Sequence, residues 1–408
     1  MKKNFFLIVF IIMVLSSFIF SQINQNQIII GKIDSLYSDI LKESRKVMIY
    51  SPTMTSSETQ ISKRYPVLYL FDGTQHFLST VGIIQQLSQV NGNSVFPEMI
   101  VVGIINTNRN RDLTPAPYPN DSTIISGYGG GEKFTAFMEN ELIPFIDSHY
   151  STHPYRILVG HSFGGLMAIN TLVNHSHLFN CYVAIDPSFW EVKQKLFNEY
   201  ISAMHRNKYD KKKLFIAMAN TFDTLDTMTV RKDTSQTYEH PRYILKFIDS
   251  LKNIVSNGLK WTWKFYPDDD HPSVPLIAEY DALHYLFSEY KMPSTVSLLE
   301  NPQNADSIVI KHYIKLFQEL GFEVLPPEDE VNYLGYIFLD KKYYKKSYSF
   351  FTMNIKNYPN SLNVFDSMGD YYVVVGDKQK AVECYTKAYS INNWPETKNK
   401  LDKLNSEK

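Results

Sequence analysis

The chain has 408 residues, 44% of them apolar, enough for one large core and a small accessory domain. Its 41 basic and 42 acidic side chains leave a formal net charge of −1, so no overall field favours a polyanion, and nucleic acid is not expected as a partner. Two cysteines, Cys181 and Cys384, fall in what read as different domains and point to free thiols, not a disulfide framework.

The N-terminus reads MKKNFFLIVFIIMVLSSFIFSQ, with Lys2 and Lys3 before an apolar run from Phe5 to Leu15 and small residues at Ser16, Ser17 and Ser21. This pattern predicts a secretory signal peptide over residues 1–22, hence an exported protein, periplasmic or extracellular. The apolar run is short for a bilayer span, so no membrane attachment is expected once the signal is removed. Eight strands are then expected, at QIIIGKIDS, KVMIYSP, YPVLYLFDG, EMIVVGII, YRILVGHS, CYVAIDPS, LFIAMAN and KWTWKFYP. Several are unbroken Val/Ile/Leu runs, as in a parallel sheet buried on both faces. Helix-like stretches such as GEKFTAFMENELIPFIDSHY, RYILKFIDSLKNIV and VPLIAEYDALHYLFSEY separate them, which predicts an α/β domain over residues 23–290. Lys211-Lys212-Lys213 reads as a solvated strand entry.

Residues 291–304, with two prolines and mostly polar side chains, read as a linker. A bridging helix follows, and Pro326-Pro327 closes the segment at residue 327. Over residues 328–408 a pattern repeats. Val331-x2-Leu334-Gly335-x2-Phe338 recurs 34 residues later as Phe365-x2-Met368-Gly369-x2-Tyr372, and Ser347-x3-Phe351 recurs at the same interval as Ala381-x3-Tyr385. Pro359 closes the first unit. The spacing resembles the tetratricopeptide repeat, a helix–turn–helix with small residues where its helices cross, and implies a possible protein partner for the tail.

The chemistry points to Gly160-His161-Ser162-Phe163-Gly164, between an expected buried strand and an expected helix. A serine hydroxyl needs a base within hydrogen-bond reach and a place for an oxyanion. A tight strand-to-helix turn pushes Oγ out of the sheet's end and aims backbone N–H groups at the reacting carbonyl. Ser162 is the candidate nucleophile, and the adjacent His161 reads as a packing residue. Of the downstream histidines, His175 and His177 lie at the far end of the nucleophile helix and His284 on an apolar helix face. His271 follows the last strand in the polar loop DDDHPSVP and precedes the last helix, where a loop can return to the mouth of the sheet. Asp268 to Asp270 read as loop solvation, since consecutive residues do not converge on one ion, and neither a metal nor a cofactor is expected. The acid that orients the base is open among Asp223, slightly favoured, Asp226 and Asp186. The oxyanion donors are expected from the N–H of Phe163 and from Gly73 or Thr74 after the third strand. Trp190 and Phe189 are candidates for lining the substrate site, burial in the core being the equal alternative. Arg111 reads as half of a structural charge pair with Asp112, a pocket role being the alternative.

Taken together, YPVLYLFDG, IVVGI, RDLTP, GGGEKFTAFMENELIPFIDSHY, RILVGHSFGGLMA, DPSFW and HPSVP resemble the esterase D and siderophore-esterase-like branch of the α/β-hydrolases, over roughly residues 40–290. The resemblance implies a mostly parallel eight-stranded sheet flanked by helices, and the small all-α repeat domain of the tail is an addition to the bare family domain. It also implies a serine esterase acting on a small-molecule or glycan ester, with Ser162 as nucleophile and His271 as base. The rival reading is a catalytically degenerate hydrolase-fold scaffold that binds a protein partner through its repeat tail.

Overall fold

The structure is a computed structural model that describes residues 28–52, 63–115, 128–192, 194–222, 225–254 and 257–406. The segment read as a signal peptide lies outside the described residues. No described helix is long and apolar enough to cross a membrane. The chain divides into two compact units, the first ending at Leu286 and the second running over Phe287–Lys408.

The first unit is built on one eight-stranded sheet: β1 (Lys32–Ser38), β2 (Glu43–Tyr50), β3 (Tyr65–Leu70), β4 (Ile100–Ile104), β5 (Thr152–His161), β6 (Cys181–Ile185), β7 (Lys213–Ala219) and β8 (Lys260–Tyr266). Their order across the sheet is β1-β2-β4-β3-β5-β6-β7-β8. Only the β1–β2 and β2–β4 pairs are antiparallel, and every pair from β4 to β8 is parallel. Each expected strand is present, and β3, β4, β6 and β7 are buried at every residue, as two covered faces demand. On β3, Val67 and Tyr69 enter the largest apolar cluster. Leu68 and Leu70 point to the other face and are equally buried.

The helices follow from the same pattern. α1 (Gly73–Ser88) comes after β3, and the segments Gly131–Phe137, Met138–Leu142 and Ile143–His149 run on as α2 with a π-turn at their middle. α3 (Phe163–Asn174), α4 (Gln194–Arg206), α5 (Thr227–Lys232), α6 (Glu239–Lys252) and α7 (Val274–Leu286) complete the unit. α3, α4 and α6 share the largest cluster with the strands, whereas α1 packs on α7. The last of these helices stops at Leu286, short of the Tyr290 end expected from the sequence.

The second unit is all helical: α8 (Thr295–Glu300), α9 (Ala305–Leu320), α10 (Glu328–Asp340), α11 (Tyr344–Asn357), α12 (Leu362–Val375), α13 (Lys378–Ile391) and α14 (Pro395–Ser406). The expected linker holds a helix after all. Ser294 accepts the Ser297 N–H and caps α8, whose Leu298 is fully buried. α10 packs on α11, and α12 on α13. A Cβ at Gly335 would overlap the ring of Phe351, and one at Gly369 would overlap the ring of Tyr385, so both crossings need a glycine at the same place in the pattern.

Candidate active site

Ser162 stands between β5 and α3 with φ 60° and ψ −118°, a conformation in which a β-carbon is strained. Its surroundings hold it there. The Ser162 N–H donates to the Ile185 carbonyl (2.9 Å), and the Ser162 carbonyl accepts from the N–H groups of Leu166 (3.0 Å) and Ser188 (3.1 Å). A Cβ at Gly160 would overlap the Gly164 carbonyl, which is why the corner closes only with glycine. The serine is thereby tied by backbone bonds to both sides of the turn that follows β6, and its Oγ lies 3.1 Å from the Oγ of Ser188.

Asp186 is the centre of that turn. It has φ 42° and is fully buried. Its N–H donates to the Ala217 carbonyl at 2.9 Å, and its Oδ1 accepts from the Ala219 N–H at 3.0 Å. Both contacts are with β7, the neighbour of β6. Its Oδ2 accepts from His271 Nδ1 at 2.5 Å and from His240 Nε2 at 2.8 Å. Burial alone would push the pKa of this carboxyl up, but the hydrogen bonds from His240 and then His271 outweigh it and leave the group well below the usual carboxylate range. Asp186 is therefore a charged acceptor, and its contact with His271 directs the Nδ1–H tautomer and leaves Nε2 as the basic nitrogen.

His271 reaches this place because its loop is pinned. The Asn220 N–H, just past β7, donates to the Asp269 carbonyl (2.8 Å). Asp269 and Asp270 share hydrogen bonds with Ser273. These acids, expected merely to solvate the loop, hold the turn that carries the histidine. The His161 ring packs at a tilt of 41° against the His271 ring, with centroids 4.4 Å apart. Burial, then the neighbouring His271, push the His161 imidazole down to about 3. It is a neutral packing group.

Of the three candidate acids, the described residues include two. Asp223 lies outside the described residues. Asp226 is exposed and caps α5, its Oδ1 accepting the Thr229 N–H at 2.7 Å. Asp186, the third alternative, is the carboxylate on the imidazole. One substrate-lining candidate is corrected, and Arg111 keeps the structural charge pair expected of it instead of the alternative pocket role. Phe189 does not line an open site: it is fully buried against Phe197 and Phe247. Arg111 bonds Glu43 and Asp112 in a network with the buried Arg45, so its guanidinium is committed to the scaffold. Trp190 is 45% exposed and stands beside Phe163, their centroids 6.3 Å apart.

Because β3 and β5 are adjacent parallel strands, the helices that follow them begin side by side. Phe163 is the first residue of α3, and Gly73 and Thr74 are the first two of α1, positions at which backbone N–H groups have no intrahelical acceptor. The cap before α1 is Asp72, with φ 54°. It is gripped by a fork from Arg109, Nε to Oδ1 at 2.8 Å and Nη2 to Oδ2 at 2.9 Å, and by Asn106. Arg109 also donates to the His161 carbonyl at 3.3 Å and lies over the Phe163 ring, joining the two helix starts. Sequence reasoning missed Asp72, Arg109, Ser188 and His240. Asp72 alone had a signal, its place between the third strand and a glycine.

Asp186, His240 and His271 each offer a ligand atom within 4.8 Å of the others, the grouping among the described residues with the composition of a metal site. The contacts to Oδ2 are at hydrogen-bond length, shorter than the about 3.3 Å that separates ligands around a tetrahedral zinc ion with bonds of about 2.0–2.1 Å. The spacing fits protons between these atoms.

The Esterase family model matches residues 38–238. Ferri-bacillibactin esterase BesA of Bacillus subtilis is 30% identical over 143 residues, 30% of this chain and 48% of that protein. Siderophore triacetylfusarinine C esterase of Aspergillus fumigatus is 28% identical over 134 residues, 31% of this chain and 44% of that protein. The chain spans about half the length of the curated relatives it matches. Among solved structures, an IroE-like serine hydrolase from Shewanella oneidensis has a TM-score of 0.65 at 28% identity, covering 79% of this chain and 98% of that one. An uncharacterised protein from Capnocytophaga ochracea, with TM-score 0.65 and 16% identity, covers 92% of this chain and 99% of its own, a likeness of fold alone. With the strand order and the geometry at Ser162, these matches support an esterase-family α/β-hydrolase as the assignment of the first unit.

Proposed function

We propose that this chain hydrolyses carboxylic esters through an acyl-serine intermediate on Ser162. The observation that carries the reading is Asp186. It is a buried, ionised carboxylate that orients His271, and it sits on the turn to which the Ser162 backbone is bonded. In this reading His271 Nε2 takes the proton as Ser162 Oγ attacks the ester carbonyl. The N–H groups of Phe163 and of Gly73 or Thr74 receive the oxyanion at the paired helix starts, where the helix dipoles add to the stabilisation. The tetrahedral intermediate collapses, the alcohol leaves with the proton from His271, and water, deprotonated by the same nitrogen, releases the acid. Every proton in this cycle is moved by His271.

The substrate is read as a small-molecule or glycan ester. The names of the relatives make siderophore esters the first class to assay, and Trp190 with Phe163 supplies an aromatic wall beside the serine. Export follows from the N-terminal pattern. The second unit is read as two tetratricopeptide-like hairpins, supported by the paired glycine–aromatic crossings 34 residues apart. A fluorophosphonate probe tests the proposal: labelling of the wild type and not of Ser162→Ala is expected. A folded wild type that the probe leaves unmodified sinks it and favours the scaffold reading.

A further inference from the structure

Asp186 Oδ2 is shared. His240 lies on α6, 31 residues before His271 in the chain, yet its Nε2 donates to the same oxygen, and the two rings stand edge to face with centroids 5.5 Å apart. Only His271 has a place in the reaction cycle. The other ring nitrogen, His240 Nδ1, is buried without a hydrogen-bond partner among the described residues. The contact with Asp186 is therefore the polar bond that accounts for a histidine here.

We propose that His240 is a positioning residue that limits how strongly Asp186 draws the proton of His271, keeping the base free at lower pH. This rests on the hydrolase reading above. The physical argument is competition for one acceptor. A carboxylate oxygen that already receives one N–H is a weaker acceptor for a second. The His240 bond thus takes part of the charge that would otherwise stabilise the His271 imidazolium. A protonated His240 acts in the same direction by repulsion. His240 also immobilises the oxygen that aims the ring. The other groups facing this pair are the neutral His161, behind it His76 and Asp72 with Arg109, and on the rings' own segments Glu239 and Asp268 to Asp270.

The test is the 15N-imidazole NMR titration of His271 in the full chain, with kcat/KM against pH beside it. In His240→Phe, which keeps a flat ring and removes the donor, the His271 midpoint moves up by about half to one pH unit. The acid limb of kcat/KM moves with it, and KM holds. In His240→Gln, whose amide can still donate to Oδ2, both return to the wild-type position. If His240→Phe does not fold, His240→Ala replaces it in the comparison. A midpoint unmoved in the donor-less variant, or moved as far in His240→Gln, overturns the proposal. The titration needs no turnover, so a wild type without esterase activity or probe labelling removes the hydrolase reading and leaves this measurement to decide the coupling between the two rings.

Discussion

Asp186→Asn replaces the buried acid by a group of the same shape. Oδ1 of Asp186 accepts the Ala219 N–H, so the amide oxygen must stay on that side and the amide NH2 must face the two imidazoles. His271 Nδ1, now a donor at 2.5 Å, must then accept. Its proton moves to Nε2, the nitrogen that should take the serine proton. The charge that stabilises the imidazolium is lost as well. A wrong tautomer with the geometry retained costs about 10³- to 10⁴-fold in kcat, or about 4–5.5 kcal/mol of barrier. The assay is kcat/KM on a p-nitrophenyl ester, with the rate of fluorophosphonate labelling as a second readout. Asp226→Asn, which alters only the cap of α5, leaves kcat/KM within about twofold. Retention of more than about a tenth of the activity by a folded Asp186→Asn variant refutes the reasoning. So does collapse of activity in Asp223→Asn or Asp226→Asn instead.

Further outcomes follow from the same contacts. Arg109→Lys exchanges a two-point fork on Asp72 for a point charge. The start of α1 loosens, and kcat falls about tenfold with KM within about twofold in steady-state kinetics. Glu279 on α7 is buried beside Thr80, its Oε2 2.6 Å from Thr80 Oγ1. Burial, opposed by that hydrogen bond, pushes its carboxyl from 4.5 up to about 8. Between those values the folded chain holds a proton that the unfolded chain has released, so stability is full below the lower value and falls as pH rises through the window. At about 1.4 kcal/mol per pH unit, the loss from pH 5 to pH 7.5 is about 3 kcal/mol. Urea denaturation of Glu279→Gln should show this slope removed, and an unchanged slope rejects the assignment. Gly335→Ala drives a methyl into the Phe351 ring. It should lower the thermal transition of the second unit by an amount equivalent to about 1–3 kcal/mol, and no shift contradicts the tight crossing.

Much of the site was legible because its signals are local. Ser162 is marked by flanking glycines that a strand-to-helix corner needs whatever else surrounds it. His271 is marked by lying between the last strand and the last helix of the sheet domain. The acid was not legible, because aspartates follow both β6 and β7 in the chain and only the packing of the strands decides which of them meets the β8–α7 loop. The structure ties Asp186 to Ala217 and Ala219 on the neighbouring strand and uses Asp226 as a helix cap. Arg109 and Arg111 are two residues apart on one short turn, Arg109–Asp112. One serves Asp72 at the mouth and the other Glu43 in the scaffold, a division set by which way each side chain leaves the helix.

By itself, then, the order of apolar runs and glycines determined eight strands, the flanking helices, the serine corner and the helical tail, since each depends on neighbours within a few residues. The tertiary structure alone decided the partners: Asp186 for His271, His240 on the same carboxylate oxygen, Arg109 for Asp72. A hydrogen bond between groups tens of residues apart depends on strand order and side-chain direction, and no local pattern encodes either one.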